Sequence, residues 1–144
     1  MQSILRANFL SLNARLRGKP FIYVLHDGVR FVCVPRSATS VHKYVTGTHE
    51  EIEGKVCLAW LRKGDACLDI GANIGIMTAS FAQAVGPDGV VVSVEPAPET
   101  YTILCEGVRL LSCENVRAVQ ACVSDRSGLV EFMAASVESM DVPP

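Results

Sequence analysis

At 144 residues the chain has room for one domain with a small appendage. Hydrophobic residues make up 49% and charged residues 19%, which excludes a disordered polyelectrolyte; a net charge of -2 gives no electrostatic footprint for nucleic acid. No uninterrupted apolar run reaches the length of a membrane span, so no transmembrane segment is expected.

Residues 1–17 predict an amphipathic helix, with Ile4, Leu5, Phe9, Leu12 and Leu16 close to one face. Arg6, Arg15, Arg17 and Lys19, with no acid before Asp27, loosely suggest an organellar transit peptide; a basic leading helix is the favoured reading. Gly18, Lys19 and Pro20 end it. Phe21–His26 and Val29–Val34 read as strands joined by Asp27-Gly28, a two-residue hairpin turn. Arg36–Thr46, rich in Ser, Thr and His, reads as loop. Residues 1–47 are thus expected to form an N-terminal helix and hairpin extension, and residues 48–144 the main domain.

Thr48 and Glu51 have the spacing of a capping box, opening a helix with Ile52, Val56, Ala59 and Trp60 as its buried stripe. Arg62, Lys63 and Gly64 suit its C-terminal end. Ala66–Ile70 is a strand. Ile74–Val85 is a helix presenting Ile74, Met77, Phe81 and Val85, closed by Gly86-Pro87-Asp88-Gly89. Val90–Val94 is nearly all β-branched, as in a parallel strand covered on both faces. Pro98–Leu111 is a helix, Val116–Val123 a third strand, Asp125–Gly128 a turn and Leu129–Met133 a short returning strand. Alternating strands and helices predict an α/β fold, a partial doubly wound, Rossmann-like parallel sheet with right-handed crossovers.

Six cysteines, at 33, 57, 67, 105, 113 and 122, form no C-x-x-C pair and stand in apolar contexts. They read as buried, reduced small hydrophobes rather than a metal site or disulfide framework, which suits a cytoplasmic protein.

The run Cys67-Leu68-Asp69-Ile70-Gly71-Ala72-Asn73-Ile74-Gly75 is a strand, a glycine loop and a helix start. Such a loop lets backbone approach a ligand and aims the N–H groups of the helix start at it. Dinucleotide sites use G-x-G-x-x-G; here Asn73 stands where the second glycine would admit a pyrophosphate. A ligand with an adenosine and no phosphate fits better, and S-adenosylmethionine is such a ligand. Glu95, after the second parallel strand, suits the two ribose hydroxyls, and Asp69 can hold the loop or the ligand's ammonium. Each acid also has a plain structural role open to it, Asp69 as a loop cap and Glu95 at the positive end of the following helix.

The sequence resembles the FkbM-type methyltransferases. Asp69–Gly75, Gly86-Pro87-x-Gly89, Val94-Glu95-Pro96 and Tyr101 carry the likeness, with Gly47-Thr48-His49-Glu50 upstream and Asn115-Val116, Ala121–Asp125 and Gly128 downstream. The resemblance covers about residues 44–133. It implies a class I, S-adenosylmethionine-dependent fold acting on hydroxyl groups of small molecules, sugars or lipids. Asp69, Gly71, Asn73, Gly75 and Glu95 would line the cofactor, with Ser124 and Asp125 near the adenine. That family continues into a fourth strand with an Asp-x-Glu-Gly block, which this sequence lacks. The expectation is therefore a truncated domain, with one side of the ligand crevice and most of the acceptor wall absent.

A hydroxyl acceptor asks for a base. His26, His42, His49 and Glu50 are the candidates, and none is assigned. Two alternatives stay open: an inactive fragment that retains only the cofactor half, and an NAD(P)-binding domain. In a fragment the unpaired edge of strand 66–70 would invite self-association.

Overall fold

The computed structural model describes residues 10, 12–24, 29–35, 37–46, 52–129 and 131. Helix α1 (residues 12–17 of the described part) leads into strands β1 (Phe21–Val24) and β2 (Arg30–Cys33), then helices α2 (Ala38–Thr46) and α3 (Ile52–Trp60). The alternating unit follows: β3 (Ala66–Ile70), α4 (Ile76–Val85), β4 (Val90–Val94), α5 (Pro98–Leu111) and β5 (Val116–Val119). The strands β3, β4 and β5 form a parallel sheet in that order, and β1 pairs antiparallel with β2. This is the predicted partial doubly wound α/β sheet with its helix and hairpin extension.

The register divides the parallel sheet into two faces. Cys67, Val91 and Val116 stand side by side on one, and Leu68, Val92 and Arg117 on the other. Helix α4 covers the first, where Phe81, Ala82 and Val85 pack on Val91 with Met77, Cys67 and Val116 around them. The second is open: Leu68 is 58% exposed and Ile70 57%.

The hairpin forms a further layer outside α4 and α5. Val32 of β2 and Val34 just after it pack on Ala79 and Leu111, while Phe31 and Cys33 face the other way, into a core with Ala14, Val41 and Tyr44. Rings of Phe21, Tyr23, Phe31 and Tyr44 meet edge to face in that core, at centroid distances of 4.6–5.6 Å. The Gln83 amide extends the hairpin's contact with α4: its Oε1 accepts the Arg30 N–H and its Nε2 donates to the Arg30 carbonyl, at 3.1 and 3.0 Å.

Several expectations are corrected. Residues 38–46 are helix α2, not loop. Ser37 accepts the Ser40 N–H, and Val41, Tyr44 and Val45 recur at helical spacing on the core. In β1–β2, Val24 lies opposite Arg30, so an odd number of residues separates them, a register that a two-residue Asp27-Gly28 turn does not produce; residues 25–28 themselves lie outside the described residues. In α1 the inward residues are Leu10 and Ala14, while Leu12 and Leu16 are exposed. In α3 the inward stripe is Gly54 and Leu58, continued by Leu61; Val56 and Trp60 are exposed. The Thr48–Glu51 capping box lies outside the described residues. Lys63, expected at the end of α3, instead donates its Nζ to the Gln83 carbonyl in the last turn of α4, at 2.8 Å. Strand β5 stops at Val119, and residues 120–129 are exposed and unpaired in any sheet. Leu129 and Glu131 are not in a strand, and the remainder of the expected return lies outside the described residues. Cys57 and Cys122 are exposed, against the expectation that all six thiols are buried.

Candidate functional site: the loop between β3 and α4

Strands β3 and β4 end side by side, Ile70 opposite Val94, and Gly71–Gly75 bridges to α4. The loop's own amides are spent on holding its shape. Gly71 and Ala72 both donate to the Val94 carbonyl at 2.9 and 3.0 Å, Asn73 donates to Glu95 Oε2 at 2.9 Å, and Gly75 donates to the Ala72 carbonyl at 2.9 Å. The Ile74 N–H donates to Asn73 Oδ1 at 2.7 Å. Asn73 sits at φ 51°, a left-handed conformation that asparagine tolerates better than most residues. The free donors lie one step further on. Gly75 supplies no side-chain cap, so the first-turn amides of Ile76 and Met77 have no acceptor among the described residues.

The two glycines differ in kind. Gly71 has φ +75° and a Cβ there would meet nothing within 4 Å. Gly75 has φ +86° and its Cβ would lie 2.7 Å from Leu104 Cδ1 of α5. Gly71 therefore borders open space, and Gly75 lets α5 approach α4.

Glu95 is 7% exposed and acts as a clasp. Oε2 accepts from Asn73 and Oε1 accepts the Ala97 N–H at 2.9 Å, which ties the end of β4 to the glycine loop and to the start of α5. A carboxylate offers about four acceptor positions, so each oxygen keeps one. Asp69 is 9% exposed and points at neither loop amide. Its Oδ2 accepts the Thr78 hydroxyl at 2.6 Å, and Thr78 Oγ1 lies 3.0 Å from Ser93 Oγ. Burial pushes the Asp69 carboxyl above its ordinary range, and the Thr78 hydrogen bond partly offsets this. Sequence reasoning missed Thr78 and Ser93. Their signal was a hydroxyl on the inward side of an apolar helix and a lone serine within Val90–Val94.

Asp69, Gly71, Asn73, Gly75 and Glu95 thus converge at the ends of β3 and β4. Ser124 and Asp125 do not join them. They lie on the exposed segment after β5, where Ser124 Oγ donates to Asp125 Oδ1 at 3.2 Å and Asp125 meets Arg126 at 3.9 Å. Of the base candidates, His42 is exposed on α2, and His26, His49 and Glu50 lie outside the described residues. A concavity of about 580 Å³ opens at the opposite end of the sheet, beside Lys63, Gln83, Gly86 and Asn115. The Asn115 amide there is spent on the Ala82 and Gly86 carbonyls.

A parallel sheet whose first strand ends in a buried acid, an open glycine and a clasped second-strand acid defines a class I, S-adenosylmethionine-dependent methyltransferase fold. The chain belongs to the protein-L-isoaspartate(D-aspartate) O-methyltransferase family, whose pattern matches residues 36–132. It is 34% identical over 73 residues to a protein-L-isoaspartate O-methyltransferase of Triticum aestivum, covering 51% of this chain and 28% of that protein. It is 43% identical over 56 residues to protein-L-isoaspartate O-methyltransferase 1 of Archaeoglobus fulgidus, covering 39% and 26%. The matched part is thus about a quarter of either relative. Among solved structures, P. horikoshii TYW2 in complex with MeSAdo shares the fold, with a TM-score of 0.50 at 16% identity over 85% of this chain and 50% of that one. The resemblance to FkbM-type enzymes is thereby narrowed to what the two families share, the methyltransferase class; the family matched is the isoaspartate one.

Proposed function

We propose that the chain binds S-adenosylmethionine at the ends of β3 and β4 and serves an enzyme that methylates an oxygen acceptor. One observation carries the reading: an open glycine beside a buried carboxylate with an acceptor position left on each oxygen. Gly71 admits the ligand to the backbone, and Glu95 accepts from the ribose hydroxyls. Asp69 holds the ammonium, and the amides of Ile76 and Met77, at the positive end of α4, take the ligand's carboxylate. Asn73 and Gly75 hold the loop's shape. Ser124 and Asp125 would reach the adenine only if the exposed segment folds back over the loop. When bound, the cofactor supplies a sulfonium-activated methyl group, and the protein's share is position and orientation.

Family membership supports a carboxylate acceptor, the free α-carboxylate of an isoaspartyl residue in a protein. Such an acceptor arrives ionised and asks for no base, whereas a hydroxyl on a small molecule, sugar or lipid does. We assign residues 48–144 to the cofactor unit and 1–47 to an extension, in a cytoplasmic protein that self-associates through the free edge of β3. No helix among the described residues is long and apolar enough to cross a membrane.

Calorimetric titration with S-adenosylmethionine, S-adenosylhomocysteine and NAD tests the ligand. Binding of both sulfur nucleosides without NAD is expected; NAD binding alone, or no binding by a folded sample, would overturn the reading. Transfer of labelled methyl groups to an isoaspartyl peptide, against a hydroxylated small molecule, then tests the acceptor. Binding without transfer to either would mark an inactive cofactor half.

A further inference from the structure

The buried hydroxyls of Thr78 and Ser93 have no part in the cofactor contacts above, yet they fix the acid that does. Thr78 is 1% exposed and Ser93 fully buried, on α4 and β4 respectively. The direction of the chain follows from proton counting. An ionised Asp69 can only accept, so the single Thr78 proton goes to Oδ2 at 2.6 Å. Thr78 Oγ1 then has only lone pairs for Ser93, so the Ser93 hydroxyl donates across the 3.0 Å contact. The result is a relay running from β4 through α4 to β3 and ending on the carboxylate. It occupies Oδ2 alone; Oδ1 has no partner among the described residues, although Asp69 is more than nine-tenths buried.

We propose that Thr78, backed by Ser93, is a positioning residue for the cofactor's amino end: it locks the Asp69 carboxylate in one rotamer and leaves Oδ1 as the acceptor for an ammonium group. The proposal rests on the cofactor reading given above. A buried carboxylate with one bare oxygen is a poor structural element, because each uncompensated lone pair raises the desolvation penalty. An ammonium at Oδ1 removes that penalty. The hydroxyl at Oδ2 favours the ionised form and so opposes the burial that pushes the carboxyl upward. The other groups around it are few. Cys67 on the same strand is the thiol that senses the Asp69 charge. Glu95 follows β4, and α4 carries no ionisable side chain.

The test uses Thr78→Val, which keeps the shape and deletes the donor, and Thr78→Ser, which restores it. In the free protein, a carboxyl-detected NMR titration reads Asp69 directly. Thr78→Val should move its midpoint upward and Thr78→Ser should return it; an unmoved midpoint overturns the proposal without any ligand. In calorimetry, Thr78→Val should lose about tenfold in affinity for S-adenosylhomocysteine, as expected for a weakened bond to a charged group. Methylthioadenosine, which lacks the ammonium, should bind within about twofold of the unmodified protein. Equal losses for the two nucleosides would assign Thr78 to the fold alone. Where Thr78→Val does not fold, Ser93→Ala removes only the outer link and should shift the midpoint in the same direction by less. Should the unmodified protein bind neither nucleoside, the cofactor reading falls, and the free-protein midpoint still decides whether Thr78 governs Asp69.

Discussion

Two glycines of one loop can be separated by substitution. Alanine at Gly75 must adopt φ +86° and place its Cβ 2.7 Å from Leu104 Cδ1, so it strains the backbone and forces the fully buried Leu104 side chain to shift. Alanine at Gly71 meets only the backbone penalty, about 1–2 kcal/mol for a left-handed conformation. Gly75→Ala should therefore lower the melting temperature more than Gly71→Ala. Gly71→Val should instead fill the open side and abolish nucleoside binding in a folded protein, by calorimetry. The spacing of these glycines was legible in the sequence; their division of labour was not, because it depends on how closely α5 approaches. Glu95 is a similar case. Its position after β4 could be read, but its two N–H partners are a matter of loop geometry. Glu95→Ala should weaken S-adenosylhomocysteine binding by about 1.5–3 kcal/mol, the range for hydrogen bonds to a charged group. It should also speed hydrogen exchange at Asn73 and Ala97, whose amides it now holds; exchange at both sites unchanged would refute the clasp. A thiol gives a pH signature at the same scale. Burial pushes Cys33 up to about 11, despite the opposing Ser40 hydrogen bond. A raised folded pKa contributes stability that is complete below the unfolded thiol's range, and is lost as pH rises through that range towards 11. Denaturant melts should show the decline across that window, and Cys33→Ala should flatten it in part, since burial also raises Cys67 and Cys113.

At the scale of elements, the parallel unit was readable because Val90–Val94 is nearly all β-branched and α4 ends at Gly86. Helix α2 was not, and the reason is physical. Its polar residues suggest a loop, yet Ser40 serves the folded structure. Ser40 Oγ accepts the Val34 N–H at 2.7 Å and donates to the Val32 carbonyl at 3.3 Å, completing the end of β2 where no third strand pairs among the described residues. Ser40 is fully buried, so Ser40→Ala leaves that amide unpaired and should cost about 1–3 kcal/mol in denaturant unfolding. The inward faces of α1 and α3 were misread for a related reason. Both sequences carry apolar residues around more than one side, so periodicity alone does not choose between them. Small residues mark the contacts instead: Ala14 in α1 and Gly54 in α3 are buried, and the larger Leu16 and Trp60 are not.

At the scale of the molecule, the open face and the free edge of β3 act together. Among the described residues nothing pairs with the outer side of β3, and its outward positions carry Ala66, Leu68 and Ile70 without a charge, a proline or a bulge. Natural edge strands normally carry one of these to discourage pairing. The strand's only charge, Asp69, is turned inward and bound to Thr78, so it does not guard the edge. Two copies can meet antiparallel along β3 with Leu68 at the centre of the contact and Ala66 opposite Ile70, which keeps the exposed side chains of both strands on one face. Sedimentation velocity should accordingly show association that grows with protein concentration. Leu68→Lys places a charge at the centre of that contact, where the two copies would bring like charges together, and should return the protein to monomer. Because Leu68 lies on the face away from α4, the change should leave nucleoside binding intact. A Leu68→Lys protein that associates as strongly as the original would show that this edge is not the contact. Loss of nucleoside binding along with association would mean instead that a second copy helps to hold the loop between β3 and α4 in its working shape.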